Sequence, residues 1–175
     1  MSSIEQVSAA LAATRAAVGQ AAGNAGAADT RAEQIAARTA AAGFTGIATG
    51  LNRVRQVIAE IRARIRGIDE ALGSGATTPA DAPQQMTPKQ TIAVLTTVTT
   101  LLDGLAGQMA QSVAQVDVAR RMVTRTLAGG EPGPMLTALE SVTVALGQAN
   151  QRRATATDAV QAAISHARRA GSQGN

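Results

Sequence analysis

The sequence predicts an all-α fold: two tandem helical hairpins packed as an antiparallel four-helix bundle with heptad, coiled-coil-like seams. Three observations lead there. The first is a stripe of large aliphatics at Leu51, Val54, Ile58, Ile61, Ile65, Ile68 and Leu72. Its steps alternate four and three, the spacing by which a helix buries one narrow face against other helices. The second is composition. The chain has 40 alanines and one Phe, with no Trp, Tyr or Cys, and a chain so short of aromatics builds sheets poorly. The third is an internal repeat. Ile92 follows Ile4 by 88 residues, and Leu139 and Val142 follow Leu51 and Val54 by the same 88. Off-stripe pairs agree, among them Gly19/Gly107, Asp29/Asp117 and Arg64/Arg152. The halves thus read as a duplicated hairpin.

The first helix opens at Ser2 or Ser3, with Glu5 and Gln6 three residues on as in a capping box. Its stripe runs Ile4, Val7, Leu11, Thr14, Val18, Ala21, Ala25, Ala28, Ala32, Ile35, Thr39. The alanines in its middle let another backbone come close, and larger side chains must supply the missing volume. Met109, Val113 and Val116, at the equivalent places in the third helix, are the expected complement. Gly43 suits the residue just past a helix end, and Thr45 suits an N-cap. Residues 1–72 form hairpin 1. Residues 73–87, rich in Gly, Ser, Thr and Pro, read as a linker. Thr87-Pro88-Lys89-Gln90 restarts a helix, with Thr as N-cap, Pro at its first position and Gln three residues after the cap. Its stripe is read as Ile92, Leu95, Thr99, Leu102, Ala106, Met109, Val113, Val116, Arg120, Val123, Leu127. Gly129-Gly130-Glu131-Pro132-Gly133-Pro134 is a turn. The last stripe is Leu139, Val142, Leu146, Ala149, Arg153, Ala156, Val160, Ala163. Hairpin 2 covers 88–170, and 171–175 is expected to be a disordered tail. Arg120 and Arg153 fall on stripes, so each must reach water along its stem or meet an acid.

Few function classes survive. The absence of Cys removes thiol catalysis and Cys-based metal sites. The single histidine, His166, sits among arginines with no acid within a turn, so it reads as a solvated helix-end residue rather than a base. Asp69-Glu70 is the one adjacent acid pair and no second cluster accompanies it, so a carboxylate metal site is not expected. The chain therefore reads as a non-enzyme without cofactor, metal or small-molecule substrate. Apolar runs are broken by Arg, Thr or Gly before about 18 residues, so no membrane span is expected. The start of the sequence has no secretory leader pattern, which points to the cytoplasm. Net charge is +4, and fifteen of sixteen basic residues are Arg. With the alanine excess, that matches a high-GC genome such as an actinobacterial one.

Two sets of residues stand out. Arg53, Arg55, Arg62, Arg64 and Arg66, against Glu60 alone, form a basic stretch. It suits an anionic surface such as nucleic acid or lipid, or else it is a solvated face paired with acids of neighbouring helices. No aromatics interleave with it for base stacking, so nucleic acid is the less favoured partner. The other set is the turn Phe44-Thr45-Gly46, whose phenyl ring is expected to fold over the helix ends as a lid.

Those turn residues, after a first helix of similar length, resemble the Trp-x-Gly helical hairpins of ESX-type (type VII) secretion, with Phe in place of Trp. In the second half, Glu131-Pro132-Gly133 keeps only the Gly. The resemblance implies hairpins that pair into antiparallel four-helix bundles, a helical protein partner or self-association, and Sec-independent export. That family's export signal uses a Tyr, which this chain lacks. The chain also resembles small Ala-rich helical proteins of actinobacteria. The function expected is a helical protein–protein interaction module, ESX-like or toxin-associated. The alternative is a basic helical module on nucleic acid or an anionic membrane.

Overall fold

The computed structural model describes residues 3–80 and 86–173, without side-chain detail at 77–80 and 173. Four helices follow one another: α1 (Ser3–Ala41), α2 (Thr45–Ala80), α3 (Pro88–Thr126) and α4 (Gly133–Gln173). Each packs on two neighbours. α1 lies between α2 and α4, and α3 completes the square across the diagonal from α1. Because the connections are short, neighbours run antiparallel. Both hairpin turns therefore lie at one end of the bundle, and the start of α1, the end of α2, the start of α3 and the end of α4 at the other. At 1.5 Å per residue, α1 makes the bundle about 60 Å long.

All seven stripe residues of α2, Leu51 to Leu72, are buried to 1% exposure or less. They lie in one core cluster with residues from all four helices. On α1, Val7, Leu11, Thr14, Val18 and the alanines at 21, 25, 28 and 32 are buried as expected. The Thr14 hydroxyl enters the core because it donates to the Ala10 carbonyl at 2.9 Å, which removes the cost of an unpaired buried donor. Towards the end of α1, Ala36 takes the core place expected of Ile35 and Thr39, which are only half-buried.

On α3 the expected stripe is half wrong. Leu95, Leu102, Met109, Val116 and Val123 are buried, but the alternate positions are Val98, Leu105, Ser112 and Ala119. Thr99, Ala106, Val113 and Arg120 sit one residue round, on the flank facing α4. The helix is rotated so that the larger Val98 and Leu105 enter the core in place of Thr99 and Ala106. The offset of 88 thus holds along α2 and α4 but for only alternate core positions of α1 and α3. The expected facing of the α1 alanines by α3 also fails, because these helices are diagonal. The small side chains instead let α1 lie close to α2 and α4.

The segment expected to be a linker from residue 73 is helical through Ala80. Gly75 is buried in close contact with Leu101 of α3, and a Cβ there would lie 3.2 Å from Leu101 Cδ1. Gly73 packs likewise under Arg15 of α1. Contact with α1 and α3 offsets the poor helix propensity of the glycines. Of the expected linker, 81–85 lies outside the described residues. The expected tail is also helical as far as Gln173, with Gly171 against Pro88; 174–175 lie outside the described residues, as does the cap expected at Ser2.

The helix ends follow local rules. The Gly43 N–H donates to the Ala40 carbonyl and the Phe44 N–H to the Thr39 carbonyl, at 3.0 and 2.8 Å. That is a Schellman closure, and it needs the left-handed φ of +85° at Gly43. The Phe44 carbonyl accepts from Ile47 and Ala48, so Phe44 takes the N-cap place expected of Thr45. Gly46 belongs to the first turn of α2. At Thr87 the capping box forms: the Gln90 N–H donates to Thr87 Oγ1, and the Thr87 N–H donates to Gln90 Oε1.

By length and composition α3 is apolar enough to cross a membrane, with a mean hydropathy of 1.3 over its best 18 residues. The threonines in it satisfy their hydroxyls internally, donating to carbonyls four residues back at Thr96, Thr97, Thr99 and Thr100. Its large side chains, Leu95, Leu102 and Leu105, are used in the core.

Candidate functional site

The basic stretch of α2 does not form one surface. Arg55 donates to Asp29 of α1 at 3.0 Å and lies 3.5 Å from Glu33; Arg62 reaches the other Asp29 oxygen at 3.3 Å. A second α1–α2 link joins Arg15 to Asp69 through two hydrogen bonds of 2.9 and 3.1 Å. The hydrogen bond from Arg15, and then its charge, holds the Asp69 carboxyl below the usual carboxylate range. Arg64 turns the other way, donating to Gln111 and Gln115 of α3 at 2.6 and 3.3 Å. Within this stretch Arg53 and Arg66 are exposed and, among the described residues, carry no ion pair, and helical spacing puts them on opposite flanks of α2. The stretch is mostly a set of ties between helices.

The seam arginines resolve differently. Arg120 lies beside the core rather than in it, 3.0 Å from Glu140 of α4 and 3.7 Å from Asp117. Arg153 keeps its place in the α4 stripe, half-buried, and donates along its own helix to Asn150 and Thr157 at 2.9 and 3.5 Å. His166 is exposed near the end of α4. Among the described residues no three metal-capable side chains cluster.

Phe44 is not a lid. It is 58% exposed, the most exposed large apolar residue described. As the residue that leaves the Schellman turn and caps α2, it has its backbone fixed by hydrogen bonds at the turn end of the bundle. There it borders a cleft of about 680 Å³ between the two turns. Ile35, Ile47 and Leu127 line the cleft with Phe44, and the second turn closes it at Gly129, Gly130, Glu131 and Pro134. Arg31, Gln34 and Arg38 of α1 form one edge. Arg31 makes one long bond, 3.5 Å, to the Pro134 carbonyl. The sequence marked Phe44 but not the cleft, which needs both turns at the same end of the bundle.

A second groove, between α1 and α4, is lined by Ala13, Ala16, Ala17, Gln20, Gln148, Gln151, Arg152 and Thr155. It offers small and amide side chains and no large apolar floor.

Comparison with known proteins adds one observation. Residues 86–172 match a Family of unknown function (DUF6244). The match begins one residue before the capping Thr87 and ends within the last turn of α4, so it covers hairpin 2. No curated protein and no solved structure matches the chain.

Proposed function

We propose that the protein is a non-enzymatic helical interaction module that docks a protein partner at the turn end of the bundle. The observation that carries this reading is Phe44, an aromatic side chain 58% exposed at the mouth of an apolar cleft. Aromatic anchors next to an apolar pocket, rimmed by charge, are the usual energetic centre of a protein interface. The position also favours docking, since the start of α1, the end of α2, the start of α3 and the end of α4 all lie at the far end of the bundle. The place of Phe44-Thr45-Gly46 at the hairpin turn supports the likeness to type VII secretion hairpins, and with it a secretion- or toxin-associated partner.

The alternative, a basic module on nucleic acid or anionic lipid, is weakened by the pairing of Arg55 and Arg62 with Asp29. The test is photocrosslinking in the native host with a benzophenone residue at position 44 and, as control, at exposed Ala59. The reading expects a protein adduct specific to position 44 that is lost when Ile47→Gln is added, with helicity and melting temperature kept. Equal adducts from both positions, or adducts to nucleic acid alone, would refute it.

A further inference from the structure

The unpaired charge around the cleft says what kind of segment fits it, an inference that rests on the docking reading above. Most arginines that meet a neighbouring helix are neutralised, Arg15 by Asp69, Arg55 and Arg62 by Asp29 and Arg120 by Glu140, while Arg64 is held by two glutamines. At the cleft the pattern differs: Arg31 and Arg38 on its edge carry no ion pair among the described residues, and Glu131 is the one acid in its lining. The excess lies on the same end as the apolar floor of Ile35, Ile47 and Leu127.

We propose that the cleft takes an acidic amphipathic helix of a protein partner. Its apolar face would sit against Phe44 and the floor, and its carboxylates against Arg31 and Arg38. These two arginines are seven residues apart on one edge of α1, about 10 Å, with Gln34 between them. Carboxylates two turns apart on a docked helix have the same spacing, and a guanidinium binds a carboxylate through two parallel hydrogen bonds. An anionic lipid surface or a nucleic acid would use the charge but leave the recessed floor unfilled, and one aromatic ring makes a poor stacking platform.

The test uses the full chain, labelled with ¹⁵N, and three synthetic helical peptides of some four turns. The peptides share one leucine stripe and differ only in flanking residues: Glu, Gln or Lys. Vesicles of anionic phospholipid and an oligothymidylate serve as further probes. The Glu peptide is expected to bind best, with shift changes confined to residues 31–47 and 127–134. Arg31→Glu/Arg38→Glu should weaken it by an order of magnitude or more and should turn the preference to the Lys peptide, a reversal that an unfolded variant would not give. If the Glu and Gln peptides bind the cleft equally, the acidic occupant is wrong and the docking site stands. If no peptide perturbs the cleft, both fall. Vesicles or oligothymidylate shifting the same residues more strongly than the Glu peptide would overturn the protein partner.

Discussion

Replacing Gly50 by alanine sets two opposed effects against each other, and the packing of α2 on α3 decides the sign. Gly50 is in the second turn of α2, where alanine should favour the helix by about 1 kcal/mol. The added methyl, however, would stand 2.5 Å from Thr126 Cγ2, 2.7 Å from its Oγ1 and 3.2 Å from its Cβ. Rotating the threonine moves Cγ2 and Oγ1 but not Cβ, so α2 or the end of α3 must shift. Overpacking of this kind costs about 1–3 kcal/mol, so a net loss of up to about 2 kcal/mol is expected. Gly67 is the internal control. It lies on the same helix, exposed, with no atom within 4 Å of an added Cβ, so Gly67→Ala should stabilise by up to about 1 kcal/mol. The assay is urea unfolding followed by circular dichroism, for each single variant and for Gly50→Ala with Thr126→Ala. Removing Cγ2 and Oγ1 should recover most of the loss, a coupling of about 1–3 kcal/mol between contacting sites. If Gly50→Ala stabilises as much as Gly67→Ala, α2 and α3 do not approach as described.

Three further outcomes are expected. Ile61→Ala, which empties a site 1% exposed in the middle of α2, should cost about 2–5 kcal/mol in chemical denaturation; a loss below 1 kcal/mol would contradict a shared core there. Phe44→Ala should change stability by no more than about 0.5 kcal/mol, as at most exposed positions, while weakening capture of the partner in a pull-down; a drop of several degrees in melting temperature would restore the lid. Asp69→Asn tests the Arg15 tie through pH. Because the folded carboxyl titrates below its unfolded value, near 4, its contribution is present above that value and fades as pH falls through the lower folded one. Stability curves of the wild type and Asp69→Asn should therefore differ at neutral pH and converge in acid; a constant gap across the range would rule the tie out.

Much of the fold is legible in residues where size and spacing agree. Leu51 to Leu72 offers no competing stripe, since arginines and acids fill most of the outer face, and every member is buried. On α3 two registers compete: Thr99, Ala106, Val113 and Arg120 against Val98, Leu105, Ser112 and Ala119. Imposing the offset of 88 picks the first. Side-chain volume at Val98 and Leu105, with the charge at Arg120, is the signal that favours the second. Gly73, Gly75 and Pro79 read locally as linker because their helix is held by contact with α1 and α3, which is not local information. The partners of Arg55, Arg62 and Arg64 depend on how α2 is rotated between α1 and α3. Likewise Phe44 stands out in the sequence, but the cleft beside it exists only because two turns 86 residues apart, at Gly43 and Gly129 with φ of +85° and +87°, meet at one end.

That meeting of the turns carries both the fold and the proposed site, and it can be measured directly. The chain has no cysteine, so Arg38→Cys/Glu131→Cys accepts spin labels at two positions only, on opposite sides of the cleft. Pulsed electron–electron resonance on dilute protein should give a single short distance, that of two residues lining one cleft. A distance near the hairpin length, about 60 Å, would mean that hairpin 2 is inverted or splayed from hairpin 1, and neither the bundle nor the docking cleft described above would stand.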